Sequence, residues 1–171
     1  MARSLLVTGA AGFIGANFVH YWAAAHPDDT IVAYDALTYA GNRANLDPLS
    51  GNARFSFVHA DICDYDRVLN TLREHDTDTI VHFAAESHVD RSITGPDAFI
   101  ETNVVGTHSL LKAAREVWLG GDGMDHRFHH VSTDEVYGSL APDDPGFFEE
   151  QKYEPNSPYS ASKAASDHLV R

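Results

Sequence analysis

Two short runs late in the chain combine side chains that could transfer protons. Thr133, Asp134 and Glu135 are consecutive and follow a strand-like stretch, so they should lie at the carboxyl end of a strand, where open parallel sheets bind ligands. Tyr159 and Lys163 are four residues apart, which places them on one face of a helix. An ammonium beside a phenol favours the phenolate. To act as a base near neutral pH, a tyrosine pKa of about 10 must fall by about 3, which corresponds to roughly 4 kcal/mol.

These residues predict an acid–base site, and each run has a simpler interpretation that stays open. Adjacent carboxylates such as Asp134 and Glu135 often form an exposed acidic turn. The spacing of Tyr159 and Lys163 also fits an ordinary amphipathic helix face. The acid–base interpretation is favoured because both runs occur together in a chain that carries a second ligand-binding pattern.

That second pattern is a glycine-rich turn near the amino terminus. A strand over 4–8 leads into Gly9, Gly12 and Gly15, and a helix with an apolar stripe follows. Glycines allow a tight turn and the close approach of backbone N–H groups to a pyrophosphate at the helix start. Asp35 ends the next strand 20 residues beyond Gly15, where an acid is expected to bind the adenosine ribose and to repel a 2′-phosphate. The pattern therefore favours NAD over NADP, although its spacing, G-x-x-G-x-x-G, also occurs in structural corners.

Strands and helices alternate along the chain. Strands are predicted over 4–8, 30–34, 55–59, 79–83 and 127–132, with a long helix over 97–118 that Gly120 and Gly121 stop. Ser157 and Pro158 read as the N-cap and first residue of a final helix. This order predicts an α/β fold with a doubly wound parallel sheet, Rossmann-like, in one domain over 1–171.

Several residues at predicted strand ends are candidates for cofactor contact. Asp61 and Ile62 could meet an adenine ring, although Asp61 or Asp64 could equally cap the next helix. Ala84 and Ala85 are small enough to admit a flat ligand. The polar residues that follow them, among them Ser87, could bind a ligand or form a solvated loop. Within the long helix, Thr102 and Asn103 could face the cofactor, and the helix itself could serve core packing or a dimer contact.

Composition excludes several classes of partner. The net charge of −13 in 171 residues opposes binding to nucleic acid or to anionic membranes, and no apolar run reaches the roughly 18 residues of a membrane span. A single cysteine, Cys63, rules out an internal disulfide and favours the cytoplasm. His126, His129 and His130 cluster, but no third-ligand pattern accompanies them, so no metal is predicted.

Taken together, the motifs resemble the extended short-chain dehydrogenase/reductases and, within them, the dTDP-glucose 4,6-dehydratases. The matching segments are 9–15, 35–42, 59–64, 84–95, 101–106, 131–138 and 157–171. The resemblance implies an NAD cofactor, a nucleotide-sugar substrate and a homodimer in the full-length protein. It implies a cofactor site formed by Gly9, Gly12, Phe13, Ile14, Gly15, Asp35, Ala36, Leu37, Thr38, Asp61, Ile62, Phe83, Ala84, Ala85, Ser87, Thr102, Tyr159 and Lys163.

The resemblance also implies the role of each catalytic residue. Tyr159 takes the proton of the sugar C4 hydroxyl, Thr133 orients that hydroxyl, and Lys163 lowers the pKa of Tyr159 and binds the nicotinamide ribose. Glu135 then acts as the base at C5, and Asp134 as the acid that protonates the leaving C6 hydroxyl. Ser87 and Thr133 are expected to contact the substrate. Related 4-epimerases and decarboxylases need no such pair of carboxyls, and GDP-mannose dehydratases carry serine in place of Asp134.

Other functions remain as alternatives at this point. A UDP-sugar 4,6-dehydratase would carry the same Thr-Asp-Glu run, and a 4-epimerase or decarboxylase of the family would share Thr133, Tyr159 and Lys163. A non-catalytic NAD-binding module would not require a base. The family continues beyond its last matching helix into a further strand and a carboxyl-terminal substrate lobe, which these 171 residues do not include.

Overall fold

The computed structural model describes residues 2–119 and 125–171, and that part of the chain contains a five-stranded parallel sheet. Its strands are β1 (Ser4–Thr8), β2 (Thr30–Asp35), β3 (Phe55–His59), β4 (Thr79–His82) and β5 (Arg127–His130). They lie in the order β3-β2-β1-β4-β5. The strand order therefore reverses between β1 and β4, which is the arrangement of doubly wound nucleotide-binding sheets. The predicted Rossmann-like sheet is confirmed.

Helices connect and follow the strands. They are α1 (Phe13–Ala25), α2 (Tyr65–Glu74), α3 (Val89–Thr94), α4 (Asp97–Phe99), α5 (Thr107–Trp118) and α6 (Pro158–Val170). The predicted long helix over 97–118 is formed by α4 and α5 with a π-helical segment, Ile100–Gly106, between them. Its predicted stop at Gly120 and Gly121 lies outside the described residues. Short 3-10 helices occur at Arg43–Leu49 and Asp134–Tyr137.

The chain packs as two compact units. The first unit comprises Met1–Ala84 and Ser109–Val131 and holds the sheet. The second unit comprises Ala85–His108 and Ser132–Arg171 and holds α3, α4, the π-helical segment, the turn at Asp134–Tyr137 and α6. The expectation of a single domain over 1–171 stays a prediction.

Both faces of the sheet in the first unit are apolar. Leu6 and Val32 belong to a buried layer that includes residues of α2 and α5. Their neighbours Leu5, Val7 and Ile31 point to the opposite layer, which includes residues of α1. Because side chains alternate along a strand, a sheet covered on both faces needs continuous apolar runs. This explains the unbroken hydrophobic stretches of β1, β2 and β4 in the sequence.

Capping residues fix where two of the helices begin. Asp64 accepts a hydrogen bond from the Arg67 amide at 3.0 Å and caps α2. Ser157 caps α6 through the Ser160 amide, and the Ser160 side chain reciprocally bonds the Ser157 amide. The predicted start of the last helix is confirmed. Among residues 2–119 and 125–171, every helix is too short or too polar to cross a membrane.

Candidate active site

The glycine turn of the first unit holds the start of α1 close to the strands. Gly9 has a positive φ of 66°, and a Cβ there would lie 2.7 Å from the Ala84 backbone nitrogen. A Cβ on Gly15 would overlap the Gly9 carbonyl oxygen. Gly12 is the N-cap of α1 and supplies no side chain to cap it. The first amide groups of α1 therefore face outward in the manner of an anion site.

Asp35 joins this turn to the end of β2. The buried carboxylate accepts hydrogen bonds from the amide of Ala11 at 2.9 Å and from the amide of Leu37 at 2.7 Å. A Cβ on Gly41 would lie 2.7 Å from the Asp35 Oδ1 atom. Each oxygen accepts one backbone amide in this arrangement, so a second lone pair on each could still accept a ribose hydroxyl. The turn and this carboxylate together fit the pyrophosphate and ribose of a dinucleotide.

Other predicted cofactor residues of the first unit differ in how accessible they are. Phe13 and Ile14 are 83% and 62% exposed in the first turn of α1. Leu37 has a positive φ of 52°, which turns the chain beyond Asp35 toward Thr38. Ala36 is half-buried, and its carbonyl oxygen lies 3.1 Å from a ring nitrogen of His59. Phe83 and Ala84 follow β4, with the Ala84 amide 3.3 Å from the Thr8 hydroxyl.

The segment after β3 carries the predicted adenine-contacting residues. Ile62 is 4% exposed and packs in the core with Val58 and Val68, and its part in cofactor binding stays a prediction. Of the two alternatives for the cap of α2, Asp64 and not Asp61 fills that position, and the Asp61 carboxylate accepts the Cys63 amide at 2.9 Å. It remains exposed.

The five predicted catalytic residues all lie in the second unit, and a short turn presents three of them. Asp134–Tyr137 forms one 3-10 turn, and Thr133 precedes it as N-cap with its hydroxyl 3.3 Å from the Glu135 amide. Gly138 ends the turn at a φ of 105°, where a Cβ would lie 2.9 Å from the Glu154 carbonyl oxygen. Asp134 is exposed, whereas Thr133 and Glu135 are half-buried.

Tyr159, in the first turn of α6, interacts with all three residues of this run. Burial raises the pKa of Tyr159, a hydrogen bond from Thr133 to the phenol opposes this, and the charges of Glu135 and Asp134 raise it further. Phe99 packs edge-on against the Tyr159 ring at 6.4 Å between centroids. The phenol, the hydroxyl and the two carboxylates therefore form one cluster, and its role as a catalytic site stays a prediction.

Lys163 lies four residues after Tyr159 on α6, and its expected effect on the pKa of Tyr159 stays a prediction. Lys163 is itself buried, and burial lowers its pKa to about 8 even though the charge of Asp167 acts in the opposite direction.

Asn103 fastens the polar segment that follows β4. Its amide group accepts a hydrogen bond from the Glu86 amide at 2.8 Å and donates to the Glu86 carbonyl at 2.9 Å. It also donates to the Ser162 hydroxyl on α6 at 2.9 Å. These three bonds hold the Asn103 side chain between the Glu86 backbone and α6, and its predicted position beside the cofactor stays a prediction. Thr102 beside it is half-buried, and Ser87 is exposed.

Residues 139–156 contact the catalytic turn. The Glu154 amide bonds the Val136 carbonyl at 3.0 Å, and the Tyr137 ring lies 5.2 Å from the Tyr153 ring and 5.5 Å from that of Phe147. The sequence predicted this stretch at the mouth of the active site. It did not predict the role of Asp167, whose carboxylate accepts a hydrogen bond from the Tyr153 hydroxyl at 3.0 Å. The only signal for Asp167 was a carboxylate four residues after Lys163.

Histidines line the ends of β4 and β5 in the first unit. The His82 ring lies 2.7 Å from the Thr8 hydroxyl and 5.3 Å from the His130 ring. Within residues 2–119 and 125–171, no group of three or more His, Cys, Asp or Glu residues could hold a metal ion.

Comparison with known proteins identifies relatives over nearly the whole chain. A family model described as GDP-mannose 4,6 dehydratase matches residues 6–171. A dTDP-glucose 4,6-dehydratase of Salmonella typhimurium is 53% identical over 178 residues, which cover 98% of this chain and 49% of the relative. One of Xanthomonas campestris pv. campestris strain B100 is 58% identical, with 97% of this chain and 47% of the relative covered. The chain thus spans about half the length of the curated relatives it matches.

A solved structure shows the same likeness in three dimensions. It is DesIV, a dTDP-glucose 4,6-dehydratase of Streptomyces venezuelae, crystallised with NAD and TYD bound. It matches with a TM-score of 0.88 and 52% identity over 98% of this chain and 50% of that chain.

Proposed function

The chain belongs to the GDP-mannose 4,6 dehydratase family, and we propose that residues 1–171 form the NAD-binding and catalytic part of a dTDP-glucose 4,6-dehydratase. The observation that carries this proposal is the cluster of Thr133, Asp134 and Glu135 around the phenol of Tyr159. Relatives that are 53% and 58% identical carry that enzyme's name. The nucleotide is assigned to thymidine from these relatives rather than from any base-contacting residue of this chain.

The proposed reaction converts dTDP-glucose to dTDP-4-keto-6-deoxyglucose in three stages. Bound NAD supplies the hydride acceptor for oxidation at C4 and later the hydride that is returned to C6. The protein residues perform the proton transfers. Tyr159 accepts the proton of the C4 hydroxyl, for which its phenol must first be ionised. The hydrogen bond from Thr133 favours that ionised form. Lys163 contributes a buried cation on the same helix.

Elimination of water requires two further groups with opposite tasks. Once C4 is a ketone, the C5 proton is acidic, and Glu135 removes it. Asp134 donates a proton to the C6 hydroxyl, which leaves as water, and Glu135 returns its proton to C5 when the hydride is delivered to C6. Glu135 is half-buried and Asp134 is exposed; their roles as base and acid are those that the family resemblance implies.

The cofactor assignment rests on the glycine turn of the first unit. Gly9 and Gly15 occupy positions that admit no Cβ, and the start of α1 lacks a side-chain cap. Asp35 supplies a carboxylate at the end of β2, which favours NAD over NADP. We propose that the predicted cofactor residues also contribute to cofactor binding, namely Phe13, Ile14, Ala36, Leu37, Thr38, Asp61, Ile62, Phe83, Ala84, Ala85, Ser87 and Thr102, and that Ser87 and Thr133 contact the sugar.

The test uses this chain and a version extended to the full length of its relatives. Each is incubated with dTDP-glucose and NAD, and the 4-keto-6-deoxy product is measured together with NADH absorbance. In the extended protein, Glu135→Gln should lower product formation by about 100-fold or more while NADH still accumulates. Glu150→Gln, which changes an exposed acid, is the matched control. Undiminished product from Glu135→Gln would refute the assignment of the base.

The same assay separates the other functions. A C4 epimer without loss of water would identify an epimerase, a preference for UDP-glucose would identify a UDP-sugar dehydratase, and NAD binding without any sugar product would identify a non-catalytic module.

We also propose a cytoplasmic homodimer for the full-length protein. Exposed Ile100 and Val105 on the π-helical segment offer apolar surface for such a contact, and light scattering of the extended protein would test it.

A further inference from the structure

Asp167 is a buried carboxylate that bridges two segments of the second unit. It lies on α6 and is 8% exposed. Its Oδ2 atom accepts hydrogen bonds from the Ser132 hydroxyl at 2.7 Å and from the Tyr153 hydroxyl at 3.0 Å. Ser132 immediately precedes Thr133 in the chain. The carboxylate therefore ties the start of the catalytic run to the helix that carries Tyr159.

The same carboxylate acts on Lys163. The two residues are four apart on α6, so they share a face of the helix, and Lys163 is 4% exposed. Burial of an ammonium without a nearby anion favours the neutral amine. The charge of Asp167 works against that effect, and the resulting pKa of Lys163, about 8, leaves the ammonium mostly protonated at neutral pH.

We propose that Asp167 is a positioning residue that keeps Lys163 protonated and fixes the Thr133–Glu135 run against α6. It touches neither reacting atoms nor cofactor in this role, and it acts through Lys163 and Ser132. The contacts stand without the proposed function, whereas their importance for turnover rests on it. This assignment adds a sixth residue to the five catalytic ones, because Asp167 links the Thr133–Glu135 run to Lys163.

Tyr153 completes the arrangement from the loop side. Burial and the hydrogen bond to Asp167 raise the pKa of Tyr153, so its hydroxyl stays a donor through the neutral range. The His168 ring lies 5.2 Å from the Tyr153 ring, and the Arg171 guanidinium lies 5.4 Å from its centroid. Tyr137, whose ring lies 5.2 Å from that of Tyr153, also faces the network, which further contains Asp167 and Lys163.

The test reads the protonation of Lys163 directly. The lysines of the chain are Lys112, Lys152 and Lys163, so protein labelled with ¹³C-lysine gives a simple spectrum that single Lys→Arg variants assign. We expect the Lys163 ε-carbon to titrate near pH 8. In Asp167→Asn it should titrate lower by about 1 pH unit or more, and Asp167→Glu, which keeps the charge, should restore much of the difference.

Two further variants keep the proposal testable if Asp167→Asn does not fold. Ser132→Ala combined with Tyr153→Phe removes both hydroxyl dipoles whose positive ends point at Asp167. Lys163 should then titrate at higher pH than in the wild type, whereas in Asp167→Asn it should titrate at lower pH. Asp78→Asn is the matched control, because Asp78 is also buried but pairs with Arg3 in the first unit. A Lys163 titration that is the same in all these variants would overturn the proposal.

Turnover by the extended protein gives a separate readout. Asp167→Asn should lower kcat more than it changes KM, and the pH at which activity is lost on the alkaline side should move down together with the Lys163 titration. Asp167→Glu should recover part of kcat. If the wild-type extended protein forms no product, the proposed function fails, while the lysine titration still decides the role of Asp167.

Discussion

The buried lysine of α6 should give the protein an unusual dependence of stability on alkaline pH, and Lys163→Met should remove it. Lys163 is 4% exposed, and burial lowers its pKa from 10.5 to about 8. In the unfolded chain the side chain is solvated and keeps its ordinary pKa. Between about pH 8 and 10.5 the unfolded state therefore binds more protons than the folded state, and the free energy of unfolding rises with pH. Below pH 8 both states are protonated, and the folded state bears the full cost of burying the charge.

The size of the effect follows from the two pKa values. Each pKa unit corresponds to about 1.4 kcal/mol, so the difference between 10.5 and about 8 amounts to roughly 3 kcal/mol. Most of it should be recovered by pH 10, which leaves an expected change of about 2 to 3 kcal/mol between pH 7 and pH 10. Methionine fills a similar volume without a charge. The variant also lacks the cation beside Asp167, which changes its free energy of unfolding by a constant amount over this pH range, because carboxylates are ionised throughout it.

Urea unfolding at intervals from pH 7 to pH 10 measures this directly. The quantity of interest is the difference in unfolding free energy between wild type and Lys163→Met. The pH-dependent contributions of the tyrosines and other titrating groups are the same in both proteins and cancel in this difference. The wild type should gain stability relative to the variant as the pH rises. Lys152→Met, which changes an exposed lysine, should run parallel to the wild type. A wild-type curve that stays parallel to Lys163→Met would refute the claim that the lysine is buried as a cation.

Three other perturbations test the geometry. Gly15→Ala should lower the free energy of unfolding by about 2 kcal/mol and abolish NAD binding, because its Cβ meets the Gly9 carbonyl. Thermal unfolding measures the first effect and cofactor titration the second. A stable variant that binds NAD would contradict the prediction. Asn103→Leu should lower the free energy of unfolding by about 2 kcal/mol in chemical denaturation, because partly buried backbone groups of Glu86 lose their partners. Thr133→Val should raise the pKa of Tyr159 further by removing its hydrogen bond. Ultraviolet titration with Tyr159→Phe as reference detects this, and an unchanged curve would exclude the bond.

Features that depend on neighbours in sequence could be predicted without coordinates. The turn at Gly9, Gly12 and Gly15, the alternation of strands with helices and the start of α6 at Ser157 all follow from local backbone preferences and the periodicity of apolar residues. Spacing also predicted that Tyr159 and Lys163 share one face of the last helix. For these features, composition and spacing determine the outcome before the chain folds.

Features that depend on burial and on distant partners were decided only by the tertiary structure. Asn103 bonds Ser162 across 59 residues, and Asp167 bonds Ser132 across 35. No local pattern marks either pair. The burial of Ile62 in the core likewise follows from the packing of distant elements. The direction of each pKa change has the same origin, since solvent exclusion and the placement of charges act through space, and the packed fold sets both.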